Sequence, residues 1–273
     1  MRQRVTPKQI ARALDVSESS VKRWCDKGMD FLRDSKYELV RPEALGIPPT
    51  SGATERVVAR AADAMIAALL AGDENRCRQL AVDLYLARHS VSEICDQVFA
   101  EAFRRIGDLW ACGDAEVYQE RRGCEITYRV LVELETLIPT PPVDAPLAIG
   151  GAAAGDPYLL GTTMAELVLR QAGWRAASLG NNLPLPSLMA AIEAQRPRLF
   201  WLSCSHIANV EQFLADYQKL YDRVSDRTAI VVGGVALNEQ LRGQIKFSAY
   251  CENMQRLEAF AQSLRQAGTP VAT

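Results

Sequence analysis

The residues best suited to ligand chemistry come directly after three short apolar runs of the sequence. They are Asp156, Tyr158 and Gly161 after the first run, Ser203 and Ser205 after the second, and Gly233 and Gly234 after the third. A carboxylate, a phenol and hydroxyls can hold a ligand by hydrogen bonds, and glycines let the backbone approach it closely. A tyrosine can also ligate iron. The pattern predicts a binding site.

Residue types for metal binding or catalysis are scarce. The 273-residue chain has 2 histidines and 7 cysteines, and no Cys-x-x-Cys pair. We therefore expect reduced thiols, a cytoplasmic protein and no metal site. We expect His89 at the surface, and His206 in a surface or capping role rather than at the pocket edge. No nucleophile elbow or P-loop is present, so we expect no catalytic residue and no enzyme.

The apolar runs belong to a predicted α/β domain at residues 146–270. The candidate strands are Leu147–Gly151, Arg175–Leu179, Leu199–Ser203, Ala229–Val232 and Phe247–Tyr250, and helical patterns separate them. Five strands that alternate with five helices predict a flavodoxin-like (Rossmann-like), doubly wound parallel sheet. Such sheets bind ligands in the loops at the carboxyl ends of their strands.

Residues 54–140 are predicted to be helical. Apolar residues recur at helical spacing, and Gly72-Asp73, His89-Ser90 and Gly113-Asp114 interrupt the pattern. The economical interpretation is a four-helix bundle that caps the α/β domain. The whole chain is therefore predicted to be multidomain, with α and α/β parts.

Residues 1–48 predict a helix-turn-helix. Thr6 and Ser17 are each placed to cap a short helix, and a tight turn at residues 15–17 separates the two helices. Residues 1–41 hold ten basic and six acidic residues, a net charge of +4 in a chain of net charge −2. The residues predicted to contact DNA are Thr6, Lys8, Ser17, Ser19, Ser20, Lys22, Arg23 and Lys27. A linker at residues 48–52 follows this domain.

Three elements of the sequence together resemble the cobalamin-binding domain pattern. The first is Asp156-x-Tyr158-x-x-Gly161. Ser203-Cys204-Ser205 follows it after 41 residues, and Gly233-Gly234 follows after 27 more. In that family the position of Tyr158 is a histidine that ligates cobalt, and the later motifs make room for the nucleotide tail. The resemblance implies a ligand pocket in which the cobalt ligand is replaced.

The helical region contains Trp110, which is followed after nine residues by Glu120-Arg121. This spacing resembles the Trp-x9-Glu-His pattern of cobalamin-dependent photoreceptor regulators. There the pattern packs against the upper face of the corrin. Arg121 stands at the histidine position, and arginine stays protonated and cannot ligate a metal. The resemblance implies that Trp110, Glu120 and Arg121 complete the pocket.

The first 28 residues resemble the MerR-type DNA-binding domain. The family's glycine- and histidine-containing wing is missing, because residues 29–41 are acidic and lack that signature. The resemblance implies DNA as a partner. The alternative is a retained fold used for protein contacts.

Three functions remain open. The first is a DNA-binding transcriptional regulator with a degenerate cobalamin-type module, whose ligand is lost or changed. The second is a sensor of cobalamin or another tetrapyrrole that controls DNA binding through oligomerisation. The third is a corrinoid carrier protein. We expect a homo-oligomer, a protein partner for the α/β domain if its ligand is lost, and no membrane partner, since no run of 18 apolar residues exists.

Overall fold

The computed structural model of the protein describes residues 54–267. The predicted helix-turn-helix of residues 1–48, with all eight predicted DNA contacts, lies outside the described residues. The helical part consists of α1 (Thr54–Ala71), α2 (Glu74–Leu86), α3 (Val91–Ile94), a π-helical segment (Cys95–Ala100), α4 (Glu101–Cys112) and α5 (Val117–Glu135).

Local capping chemistry explains where these helices begin and end. The side chains of Asp73 and Ser90 accept hydrogen bonds from backbone N–H groups in the first turns of α2 and α3. Gly113 ends α4 with a φ of 79°, in the left-handed region that favours glycine. The three interruptions predicted from the sequence coincide with these ends. The π-helical segment was not predicted.

The second part is a sheet covered by helices on both faces. Its elements are β1 (Leu147–Ala152), α6 (Leu160–Gln171), β2 (Arg175–Ser178), α7 (Leu185–Gln195), β3 (Leu199–Ser203), α8 (Val210–Val224), β4 (Ala229–Gly233), α9 (Glu239–Arg242), β5 (Ala249–Cys251) and α10 (Met254–Gln266). The strand order is β2-β1-β3-β4-β5, and all pairs are parallel. This order confirms the predicted flavodoxin-like topology.

The strand order puts a switch point between β1 and β3. The chain leaves β1 toward β2 on one side and later returns to β3 on the other. The loops after β1 and β3 therefore diverge and leave a crevice at the carboxyl edge of the sheet, where such folds bind ligands. Asp156 and Tyr158 lie in the first of these loops and Ser205 in the second, while Gly161 lies in the first turn of α6 and Ser203 ends β3.

Two hydrophobic cores lie on opposite faces of the sheet. One core joins the helices of residues 54–135 to α6 and α10, and it includes Leu131, Leu167 and Trp201. The other packs α7 and α8 against the opposite face. The helical part thus shares a continuous core with one face of the sheet.

Polar contacts fix the helical part on that face. Asp96, in the π-helical segment, accepts hydrogen bonds from the backbone N–H groups of Met254 and Gln255 at 2.8 and 2.9 Å. Gln171 accepts one from the N–H of Val91 at 2.7 Å, and Arg170 pairs with Glu135. Within residues 54–267, no helix combines the length and apolar character needed to span a bilayer.

Candidate functional site

Asp156 organises the carboxyl edge of the sheet. Its carboxylate is fully buried, and Oδ2 accepts hydrogen bonds from the N–H groups of Ser205 and His206 at 2.6 and 3.1 Å. Oδ1 accepts a third bond, from the N–H of Tyr158 at 3.0 Å. One side chain therefore ties the loop after β1 to the loop after β3, and its oxygens are directed at backbone rather than at a ligand.

Tyr158 meets the helical part of the protein. The guanidinium carbon of Arg121, on α5, lies 5.5 Å from the centroid of the Tyr158 ring. This is the geometry of a cation–π contact. The two positions predicted to flank a ligand are in contact with each other.

The remaining predicted residues of the helical part surround this contact less closely. Glu120 is half-buried beside Arg121 in the first turns of α5. Trp110, near the end of α4, is 53 % exposed. An exposed tryptophan of this size is surface that a ligand or partner can cover.

The glycine and serine motifs pack against the protein itself. A Cβ added at Gly161 would lie 2.7 Å from the Ser203 hydroxyl oxygen, so glycine lets α6 begin directly on β3. A Cβ at Gly233 would lie 2.7 Å from the Cys251 carbonyl oxygen. Gly234, with a φ of 112°, lies against the backbone of Cys204. Close packing against the protein itself explains the three glycines.

A second group beside this edge was missed by the sequence analysis. The indole N–H of Trp201, on β3, donates to the hydroxyl of Thr162 at 3.0 Å, and that hydroxyl lies 2.9 Å from the Ser178 hydroxyl. The Trp201 ring lies over Gly150, where a Cβ would overlap it. A glycine inside an apolar strand was the available signal, since it often marks such a close approach.

The described residues hold no metal cluster, and two cysteines near the site have raised pKa values. No group of three or more histidine, cysteine or acidic side chains within residues 57–267 could hold a metal ion. Burial raises the pKa of Cys204 far above its usual range and that of Cys124 to about 11. Neither thiol is therefore an ionised nucleophile at neutral pH.

The histidines differ from each other. His206 is exposed and touches the site only through its backbone N–H, which confirms its predicted surface role. The prediction that His89 lies at the surface is wrong, because the residue is only 7 % exposed. Its Nδ1 lies 3.0 Å from a carboxylate oxygen of Glu93, one turn further along. The turn after α2 folds toward the protein interior. The position of His89 at a helix end did not indicate this.

Comparison with known proteins places this architecture. Residues 61–135 match the family model of the B12 binding domain. Over 77 % of this chain and 99 % of the other, the structure superposes on a monomethylamine corrinoid protein of Methanosarcina barkeri with a TM-score of 0.64 and 15 % identity. The two proteins share a fold.

Two further solved structures are more distant in geometry. A cobalamin-binding protein of Desulfitobacterium hafniense has a TM-score of 0.41 at 15 % identity, over 74 % of this chain and 97 % of that one. A methanol:cobalamin methyltransferase complex of Methanosarcina barkeri has 0.43 at 16 %, over 94 % and 95 %. Comparison with curated protein sequences gives no match.

The residues at the two histidine positions of the cobalamin patterns, Arg121 and Tyr158, are poor ligands for cobalt. They contact each other, with the guanidinium carbon of Arg121 5.5 Å from the centroid of the Tyr158 ring. Arginine cannot ligate a metal, and the pKa of an unperturbed tyrosine, about 10, makes the phenol a poor ligand for cobalt at neutral pH.

Proposed function

We propose that this protein is a DNA-binding transcriptional regulator whose residues 54–267 form a cobalamin-binding-type module that has given up axial cobalt ligation. The observation that carries the altered-module part of the proposal is the contact between Arg121 and Tyr158. It pairs the two side chains that stand at the histidine positions of the cobalamin patterns.

In this proposal the module acts as a rigid body that joins subunits or partner proteins. The shared core and the Asp96, Gln171 and Arg170 contacts hold its helical part firmly on the sheet. Exposed Trp110, Val117 and Tyr118 offer apolar surface for a second copy. A symmetric dimer would suit a palindromic DNA site.

The DNA-binding role rests on the helix-turn-helix pattern of residues 6–28 and the positive charge of residues 1–41. Lys22 and Arg23 lie on the helix predicted to enter the major groove. If each neutralises one phosphate, replacing both lowers the dependence of log K on log salt by about 2, since each contact contributes roughly 0.9.

The test is fluorescence anisotropy with the full chain and a duplex selected from a random-sequence pool. Lys22→Ala with Arg23→Ala should weaken binding and reduce the salt slope, while Lys219→Ala, an exposed residue on α8, should leave both unchanged. Equal binding by the wild type and the double variant would refute the assignment of this helix.

The second candidate is a tetrapyrrole sensor. The family match of residues 61–135 and the exposed Trp110 on the same helices favour it. Haem is a ligand for which Tyr158 has suitable chemistry, because a tyrosine can ligate haem iron. Titration with haem distinguishes the two candidates: a shifted Soret band that Tyr158→Phe abolishes would support the sensor.

A further inference from the structure

Trp201 occupies the space between the sheet and the first turn of α6. Residues two apart on a strand share a face, so Trp201 and Ser203 point to the same side of β3. Ser203 lies against Gly161 and Trp201 bonds to Thr162, and both partners belong to the first turn of α6. The indole thus fills the space directly below the crevice at the carboxyl edge.

The surroundings of the ring are shaped to receive a flat bicyclic group. Gly150 is the register partner of Trp201 on β1, and its missing side chain lets the ring lie across that strand. Ala148, two residues earlier on the same face of β1, is fully buried and equally small. The buried Thr162 hydroxyl supplies the one polar partner that the ring nitrogen needs.

We propose that the Trp201 indole is a built-in occupant of this space and a specificity determinant of the module. The indole excludes every ligand with a bulky aromatic group that must lie below the crevice. A flat ring without such a group can still bind at the surface of the crevice. The benzimidazole nucleotide of cobalamin is a group of the excluded kind. The proposal deepens the proposed function and rests on it, because it assigns a second cause for the loss of cobalamin.

The test asks whether removal of the indole opens a site that continues into the crevice. Engineered apolar cavities can bind aromatic molecules of their own size. Full-length Trp201→Gly is therefore expected to bind α-ribazole, the benzimidazole nucleoside of cobalamin, and free indole. At a ligand concentration ten times Kd its Tm should rise by about 4 °C.

Trp174→Gly is the matched control. Trp174 is fully buried in the same core, but it directly precedes β2, at the opposite edge of the sheet from the crevice. Its cavity can admit indole and has no route for the sugar of α-ribazole. The wild type should respond to neither probe.

Thermal unfolding with each probe decides between the outcomes. A rise in Tm with α-ribazole in Trp201→Gly alone supports the proposal. A similar rise in the wild type or in Trp174→Gly overturns it, as does the absence of any rise in a folded Trp201→Gly. If that variant does not fold, Trp201→Leu replaces it, with a smaller rise expected. Neither outcome changes the results expected from the DNA-binding and cobalamin-binding tests of the proposed function.

Discussion

At the scale of single residues, Asp156 has a structural role, because it connects the loop after β1 to the loop after β3. Three backbone N–H groups converge on one fully buried carboxylate, and they come from two loops almost 50 residues apart in sequence. Hydrogen bonds to charged groups are stronger than neutral ones, and buried donors left without an acceptor carry a penalty. The acid of the motif therefore has a role that needs no ligand.

Replacing Asp156 tests this role. Asp156→Ala leaves three donors without their acceptor and should lower the free energy of unfolding by on the order of 3 kcal/mol. Asp156→Asn keeps one acceptor oxygen and should lose roughly half of that. Urea unfolding of both variants measures the difference. Equal stability of Asp156→Ala and the wild type would contradict this structural role of Asp156.

The contact between Arg121 and Tyr158 makes a smaller, separable contribution. Arg121 is exposed, and cation–π pairs at exposed sites are worth about 0.5–1 kcal/mol. A double-mutant cycle of Arg121→Ala and Tyr158→Ala should give a coupling energy in that range. Strictly additive effects would mean that the two groups do not interact in solution.

Sequence patterns could predict some of these residues but not their relations. Asp156, Tyr158 and Ser203 follow apolar runs at motif spacing, so their place at the carboxyl edge was predictable. The bond from Trp201 to Thr162 joins residues 39 positions apart, and no local pattern encodes it. The direct approach of Arg121 to Tyr158 likewise depends on how two layers pack.

At the scale of elements, the π-helical segment shapes the junction between the two parts. It carries Asp96, whose carboxylate caps the first turn of α10 from another element. A π-helical turn widens the helix and shifts its side chains relative to a regular α-helix. Strands and helix ends were predictable from apolar runs and capping residues, whereas this segment has no such signal.

The junction should show a characteristic pH dependence. Burial raises the pKa of Asp96, the N–H groups of Met254 and Gln255 oppose this, and the nearby Glu258 adds to it. A raised pKa in the folded state gives stability that is present below the unfolded value of about 3.9 and is lost as pH rises through the folded value.

Asp96→Asn isolates this effect, because the amide keeps an acceptor and does not titrate. The stability of the wild type relative to Asp96→Asn should fall as pH rises from 4 to 7. Urea unfolding of both proteins at four pH values measures it. A difference that stays constant or grows over this range would contradict the raised pKa.

At the scale of the whole molecule, the fold superposes on that of a monomethylamine corrinoid protein, and the side chains of Arg121 and Tyr158 contact each other. The parallel sheet and its strand order follow from the alternation of apolar runs and helical patterns, and the sequence was sufficient to predict them. The contact between Arg121 and Tyr158 depends on how two layers pack. In the proposed function, a DNA-binding head would make the module a structural part of a regulator.

The measurement that tests the central claim most directly is a visible absorption titration of hydroxocobalamin with the full-length protein, followed by gel filtration. The account predicts the spectrum of the free ligand and no co-eluting colour. A shifted spectrum with cobalamin that co-elutes with the wild-type protein would contradict it, because it would mean that Arg121 and Tyr158 separate to admit the ring.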